Sequence, residues 1–142
     1  MTRAFITLAA LVLLASPALA QQSKVDQAYA KALEQVAKGR PEDAVKTMTK
    51  AAAENGAEGQ MALGRLQERL GNLDEAQAAY TQARGSAQGA AKGEILAAIS
   101  SFTLRRGTGK DALAIANEAL AAAPGSASGL AALARALVRN ED

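Results

Sequence analysis

The stretch Leu63–Ala83, LGRLQERLGNLDEAQAAYTQA, reads as two helices joined by a Gly71-Asn72 turn. Leu63, Leu66 and Leu70, with Met61 just upstream, line one face of the first helix. Ala76, Tyr80 and Ala83 line one face of the second. Gly71 can take the left-handed backbone that closes a helix, and Asn72 is a residue type that caps the next one. Arg69 falls in a last turn and Asp74 and Glu75 in a first turn, the ends where the helix dipole favours each sign. Small residues stand where the two helices would touch.

The same turn occurs on either side. GRPEDA (Gly39–Ala44) and GTGKDA (Gly107–Ala112) align with GNLDEA (Gly71–Ala76), and their alanines, Ala44, Ala76 and Ala112, are 32 and 36 residues apart. Pro41 suits a first turn, and Thr108 a cap. Seven helices are expected, near 24–38, 41–54, 57–70, 73–84, 91–106, 109–122 and 126–139. Ile95, Leu96, Ile99, Phe102 and Leu104 form one further stripe, and Leu113, Ile115, Ala116, Ala119 and Leu120 another. Arg84–Gly93, RGSAQGAAKG, carries three glycines and reads as a flexible joint. The last helix has Ser126 as its cap and a stripe of Leu130, Leu133, Leu137 and Val138, suited to covering the open end of a helical stack.

The first twenty residues have the pattern of a secretory signal peptide. Arg3 is followed by an apolar run, Ala4–Leu14, and Ala18-Leu19-Ala20 places small residues before a cut after Ala20. The apolar core is about half a membrane-spanning length, and no Cys follows the cut to carry a lipid. Residues 21–142 then form one domain with 15 basic and 14 acidic side chains. They hold 31 Ala, three aromatics and two Pro, a composition for helices with a thin core. Absence of Cys excludes disulfides. Absence of His removes the commonest general base and metal ligand. No basic run or aromatic series points to nucleic acid. No second run is long enough to cross a membrane.

The pattern resembles the tetratricopeptide repeat (TPR). Leu63, Gly64, Gly71, Ala76, Tyr80 and Ala83 carry the resemblance in the middle unit. Ile99, Ser100, Gly107, Ala112, Ala119 and Pro124 carry it in the third, and Ala32, Gly39, Ala44, Met48 and Ala51 in the first. Lys31 stands where the family has an apolar residue, and the large aromatic of the first helix is missing from the second and third units. AAAENGAEGQMALG (Ala51–Gly64) is also similar to the junction of Sel1-like repeats, one residue short. The resemblance implies an all-α fold: antiparallel helix pairs in a right-handed superhelix, with about three units (24–56, 57–90 and 91–124) and a capping helix over 126–139.

It also implies a non-enzymatic scaffold that holds a protein or peptide in a concave groove, and the leader pattern places that scaffold in the bacterial periplasm or makes it secreted. The groove positions are Tyr29 and Leu33, then Met61, Arg65 and Arg69, then Ser101 and Arg105, with Arg135 and Arg139 from the last helix. Such a groove would be mildly basic and would suit an acidic or carboxylate-ended segment. Arg69, Arg105 and Arg139 also have a helix-end role of their own, whereas Arg65 and Arg135 are mid-helix and stand out. The Lys-Asn pair of the chaperone-type carboxylate clamp is not at the matching positions. The alternative is an assembly component of the cell envelope that acts by self-association, as a homo-oligomer. Ser100, Ser101, Glu94 and the carboxylates of the turns are the only candidates for catalysis; the turn carboxylates are explained by their helix ends and no residue is present to activate a serine, so no enzyme, cofactor or metal is expected.

Overall fold

The three glycine turns are closed in one way. At the middle one, Gly71 N–H donates to the Glu68 carbonyl at 3.0 Å and Asn72 N–H to the Gln67 carbonyl at 2.9 Å, with Gly71 at φ 80°. This pair of bonds satisfies the last carbonyls of the outgoing helix. It recurs with Gly39 and Arg40, which bond to Val36 and Gln35, and with Gly107 and Thr108, which bond to Leu104 and Thr103. Asn72 and Thr108 occupy the cap positions, but their side chains do not cap. The Asn72 amide donates back to Gln67 Oε1 at 2.9 Å, and the Thr108 hydroxyl to the Thr103 carbonyl at 3.1 Å. Ser126 does cap: its Oγ accepts from the Gly129 N–H at 3.3 Å.

A computed structural model of the chain describes residues 17–140. Among them, all regular secondary structure is helical: α1 (Pro17–Ala37), α2 (Pro41–Arg69), α3 (Leu73–Ser86), α4 (Gly89–Arg105), α5 (Gly109–Ala122) and α6 (Ala127–Asn140). The expected leader falls outside the described residues up to position 16, and the expected cut after Ala20 falls within the first turns of α1. The two helices expected over 41–54 and 57–70 run on as α2, broken at Gly56. Its φ of 56° and ψ of −132° suit only glycine, and they turn the chain between two arms without a loop.

Neighbouring helices pack in pairs: α1 on the first arm of α2, the second arm on α3, and α4 on α5, with α6 laid across both α4 and α5. Three apolar clusters follow. Met48 and Leu66 centre the first, Tyr80, Ile95 and Phe102 the second, and Leu96 with Ala116, Ala119 and Ala132 the third.

The core is thin, so the backbones must come close, and glycine marks the crossings. A Cβ on Gly59 would lie 2.7 Å from the Ala51 carbonyl oxygen and from Ala52 Cα. One on Gly64 would lie 2.9 Å from the Tyr80 ring, which connects two of the residues that carried the family resemblance. One on Gly93 would overlap the Ala123 methyl. The glycine-rich joint expected over 84–93 is therefore mostly helix. Only Ala87 and Gln88 separate α3 from α4, and Gly93 is a packing residue of α4.

The last helix also differs from expectation. It buries Gly129, Ala132 and Ala136, whereas Leu130, Leu137 and Val138 face outward and only Leu133 packs inward. Close approach to α4 and α5 requires the face without side-chain bulk, so the leucine stripe is turned away.

Gly59→Ala inserts a methyl against backbone that cannot move aside. Overpacking of about 1–3 kcal/mol should outweigh the ~1 kcal/mol gain in helix propensity. Gly85→Ala, in α3 with open space around it, should keep the gain. Urea unfolding of the two variants should move the midpoint in opposite directions from wild type.

Candidate functional site

The expected groove positions lie on every second helical segment, α1, the second arm of α2 and α4, and on α6. On α4, Ala91, Glu94, Ala98, Ser101 and Arg105 follow at steps of three and four, which stacks them along one face. Two open clefts lie at the two ends of that line.

The first cleft, of about 820 Å³, is formed by α1, the second arm of α2, the start of α4 and the Ala123–Ser128 turn into α6. Tyr29, Met61 and Arg65 line it. Tyr29 and Met61 are half-buried, leaning on the first and second apolar clusters, and Arg65 is exposed. Three carboxylates line it too: Asp26, Glu58 and Glu94. The expectation of a basic groove is therefore corrected at this end, where acids outnumber the single arginine. Each carboxylate comes from a different helix, so no local sequence signal announces their convergence. Glu94 is tied to the turn by the Ser126 hydroxyl, which donates to it at 3.1 Å.

The second cleft, of about 640 Å³, lies between the end of α4 and the later half of α6. Leu104, Ala134 and Val138 form its apolar lining, and Arg105, Arg135 and Arg139 its charge. Leu33 and Arg69 line neither cleft; Leu33 packs half-buried against the first cluster, and Arg69 is exposed. Ser101 stands between the clefts along α4, its hydroxyl donating to the Ala97 carbonyl at 3.0 Å. From Glu94 to Arg105 the rise along α4 is about 16 Å. The line of groove positions thus runs from an acidic end to a basic one.

Beside it lies a knot that sequence reading missed. Glu68, on α2, accepts the Tyr80 hydroxyl of α3 at 3.1 Å and the Arg105 Nε of α4 at 2.6 Å. The Tyr80 ring is buried and meets Phe102 with centroids 5.0 Å apart, tilted by 50°. Arg105, expected to face a partner, is thus held within the chain by Glu68. Arg84 pairs with Glu118 at 2.6 Å, and Arg106 with Asp74 at 3.7 Å, so further ion pairs cross from α3 to the helices that follow it. Burial, with the Glu68 carboxylate adding to it, pushes the Tyr80 phenol well above its ordinary range.

The serines weighed for catalysis serve packing. Ser100 is buried and donates to the Ala112 carbonyl of α5 at 2.8 Å. Among the described residues, no three His, Cys, Asp or Glu side chains form a metal-sized group, and no helix is long and apolar enough to cross a membrane.

No protein-family model matches this chain, and no curated protein sequence matches it either.

Because the Tyr80 phenol is raised in the folded chain, the unfolded chain loses its proton first as pH climbs past about 10. The stability this group contributes is complete below that pH and is lost above it. Tyr80→Phe should cost about 1–2 kcal/mol at neutral pH, through the lost bond to a charged acceptor. It should also lose stability less steeply than wild type above pH ~10. Denaturant unfolding of both proteins across that range, followed by circular dichroism, measures both effects.

Proposed function

We propose that this chain is an exported, non-enzymatic interaction scaffold of TPR-like build, a short right-handed superhelix of about three helix pairs closed by α6. Within it, the line from the first cleft to the second holds an extended segment or helix of a partner protein. The observation that carries the reading is the first cleft, to which α1, the second arm of α2, α4 and the start of α6 all contribute, bringing Tyr29, Met61 and Arg65 to one surface. Support for the repeated build comes from the three turns with the same pair of closing hydrogen bonds.

The charge along the line refines the partner. A lysine, arginine or free amine suits Asp26, Glu58 and Glu94; a carboxylate suits Arg135, because a guanidinium bonds a carboxylate in paired, charge-assisted fashion. Arg105 serves the second end less well, being already engaged by Glu68. An extended peptide covers the distance between the clefts with about five residues. The partner is therefore a segment of divided charge, basic at one end and acidic at the other. The reading assigns the chain no chemistry of its own, since it lacks His and Cys and the hydroxyls of Ser100 and Ser101 are bonded to backbone carbonyls.

Affinity capture from a periplasmic extract tests the reading, with wild type compared against Arg65→Glu and against Glu58→Lys/Glu94→Lys. Both variants change exposed or half-buried side chains of the first cleft and should keep the fold. Partners held in the cleft should fall at least about tenfold in recovery, equivalent to roughly 1.4 kcal/mol of binding. Equal recovery by all three proteins removes the cleft from the reading.

A further inference from the structure

The kink of α2 holds a reactive pair of residues, independent of the reading given to the clefts. Asn55 is followed by Gly56, and this is the one Asn-Gly pair in the sequence. An asparagine side chain is just long enough for the backbone nitrogen of the next residue to attack its Cγ and close a succinimide ring. Glycine has no side chain to hinder that attack. The other asparagines, Asn72, Asn117 and Asn140, precede leucine or glutamate, whose side chains crowd the attacking nitrogen.

The folded chain holds this pair in a form that does not close the ring. Gly56 breaks the helix, but Asn55 before it keeps helical backbone. At a helical ψ the Gly56 nitrogen stands well out of the plane that Cα, Cβ and Cγ would share with it in the ring. The carboxamide is tied as well: Asn55 Nδ2 donates to the Ala51 carbonyl at 2.8 Å. That carbonyl lies where the second arm of α2 turns back on the first, 2.7 Å from the place of a Cβ on Gly59. The hydrogen bond and the crossing therefore form together, and opening of the arms releases both. Gly56 itself is exposed with open space around it, so water and hydroxide reach the pair once its backbone is free.

We propose that Asn55-Gly56 is a site of spontaneous covalent modification guarded by the closed kink, and that its reaction makes opening of α2 irreversible. The Gly56 nitrogen, losing its proton to hydroxide, attacks Asn55 Cγ. The Cγ–Nδ2 bond breaks, and the amide nitrogen leaves as ammonia with a proton from water. Water then opens the succinimide at either of its carbonyls. One product is aspartate. The other is isoaspartate, whose main chain runs through Cβ and Cγ and is one atom longer. Either product replaces the amide donor with carboxylate oxygen, which meets the Ala51 carbonyl acceptor to acceptor. The isoaspartate also displaces Gly59 from its fit against Ala51 and Ala52.

The full chain, folded or in urea, is aged in mildly alkaline buffer made with heavy-oxygen water. Mass spectrometry follows the tryptic peptide Ala51–Arg65, and an isoaspartyl methyltransferase distinguishes the two products. Label should enter Asn55 at least about tenfold faster in urea than in the folded protein. In urea, Gly56→Ala should slow it at least about tenfold. In native buffer, Gly59→Ala, which crowds the Ala51 carbonyl, should speed it, whereas Gly93→Ala, which crowds Ala123 beyond α5, should not. Circular dichroism verifies that both variants fold; where one does not, the urea comparison and the refolding assay stand without it. On return from urea, isoaspartate chains should be missing from the folded fraction in size exclusion, while Asn55→Asp, with the charge but no added atom, refolds. The proposal is overturned if label enters folded and unfolded chains alike, if Gly93→Ala speeds the reaction as much as Gly59→Ala, or if isoaspartate chains refold as fully as unreacted ones. Loss of capture by Arg65→Glu bears on the first cleft and leaves these outcomes untouched.

Discussion

The contact of the Tyr80 ring with the bare backbone of Gly64 is the constraint on which the rest of this molecule depends. With no side chain at Gly64, α2 and α3 approach closely enough for the ring to lie flush between them. From there the ring reaches Phe102 of α4, and its hydroxyl reaches Glu68. Glu68 in turn holds Arg105. One aromatic residue therefore joins three helices through a close steric contact, an aromatic pair and a charge-assisted hydrogen bond. The contact between α3 and α4 is otherwise slight, built from small apolar residues such as Ala76 and Ala83 and from the exposed ion pair of Asp74 with Arg106 at the end of α4. Exposed pairs are worth at most about 1 kcal/mol each, so the aromatic pair and its hydrogen bond hold this junction.

The same economy governs the other crossings. Alanine gives up no side-chain entropy on burial, but it also buries little surface. A chain that uses so much of it must recover attraction through proximity, since dispersion falls off within a fraction of an ångström. Gly93 and Gly129 each stand where another helix passes at close range, and Gly59 where the two arms of α2 meet. The packing is tight because the side chains are small, and it leaves little tolerance for added atoms at these points.

Which parts of this were legible in the sequence follows from how local each signal is. The turns were legible because glycine, a small polar residue and an acid act on their own few neighbours, and their closing hydrogen bonds are local. Gly93 was misread because a glycine that permits a turn and a glycine that permits a crossing look alike without the partner helix. The leucine stripe of α6 was misread for a related reason: periodicity reports an amphipathic face, but not which face the neighbours require. At the site, Tyr29, Met61 and Arg65 came from the repeat resemblance, and the three line one cleft. The acidity around them was not, because Asp26, Glu58 and Glu94 meet only through folding. Glu68 escaped notice because its two partners lie 12 and 37 residues along the chain.

The break at Gly56 bears on how this architecture can change over time. Elsewhere a connection between helices, such as Ala87-Gln88, has residues outside the helices. At Gly56 the reversal is made by one residue, with helix on both sides. An insertion or deletion there would rotate the whole second arm by about 100° relative to the first, carrying Gly64 away from Tyr80 and Arg65 away from Tyr29. The junction is thus a point of fixed register, where the chain can accept substitutions in its flanking helices far more readily than a change in length.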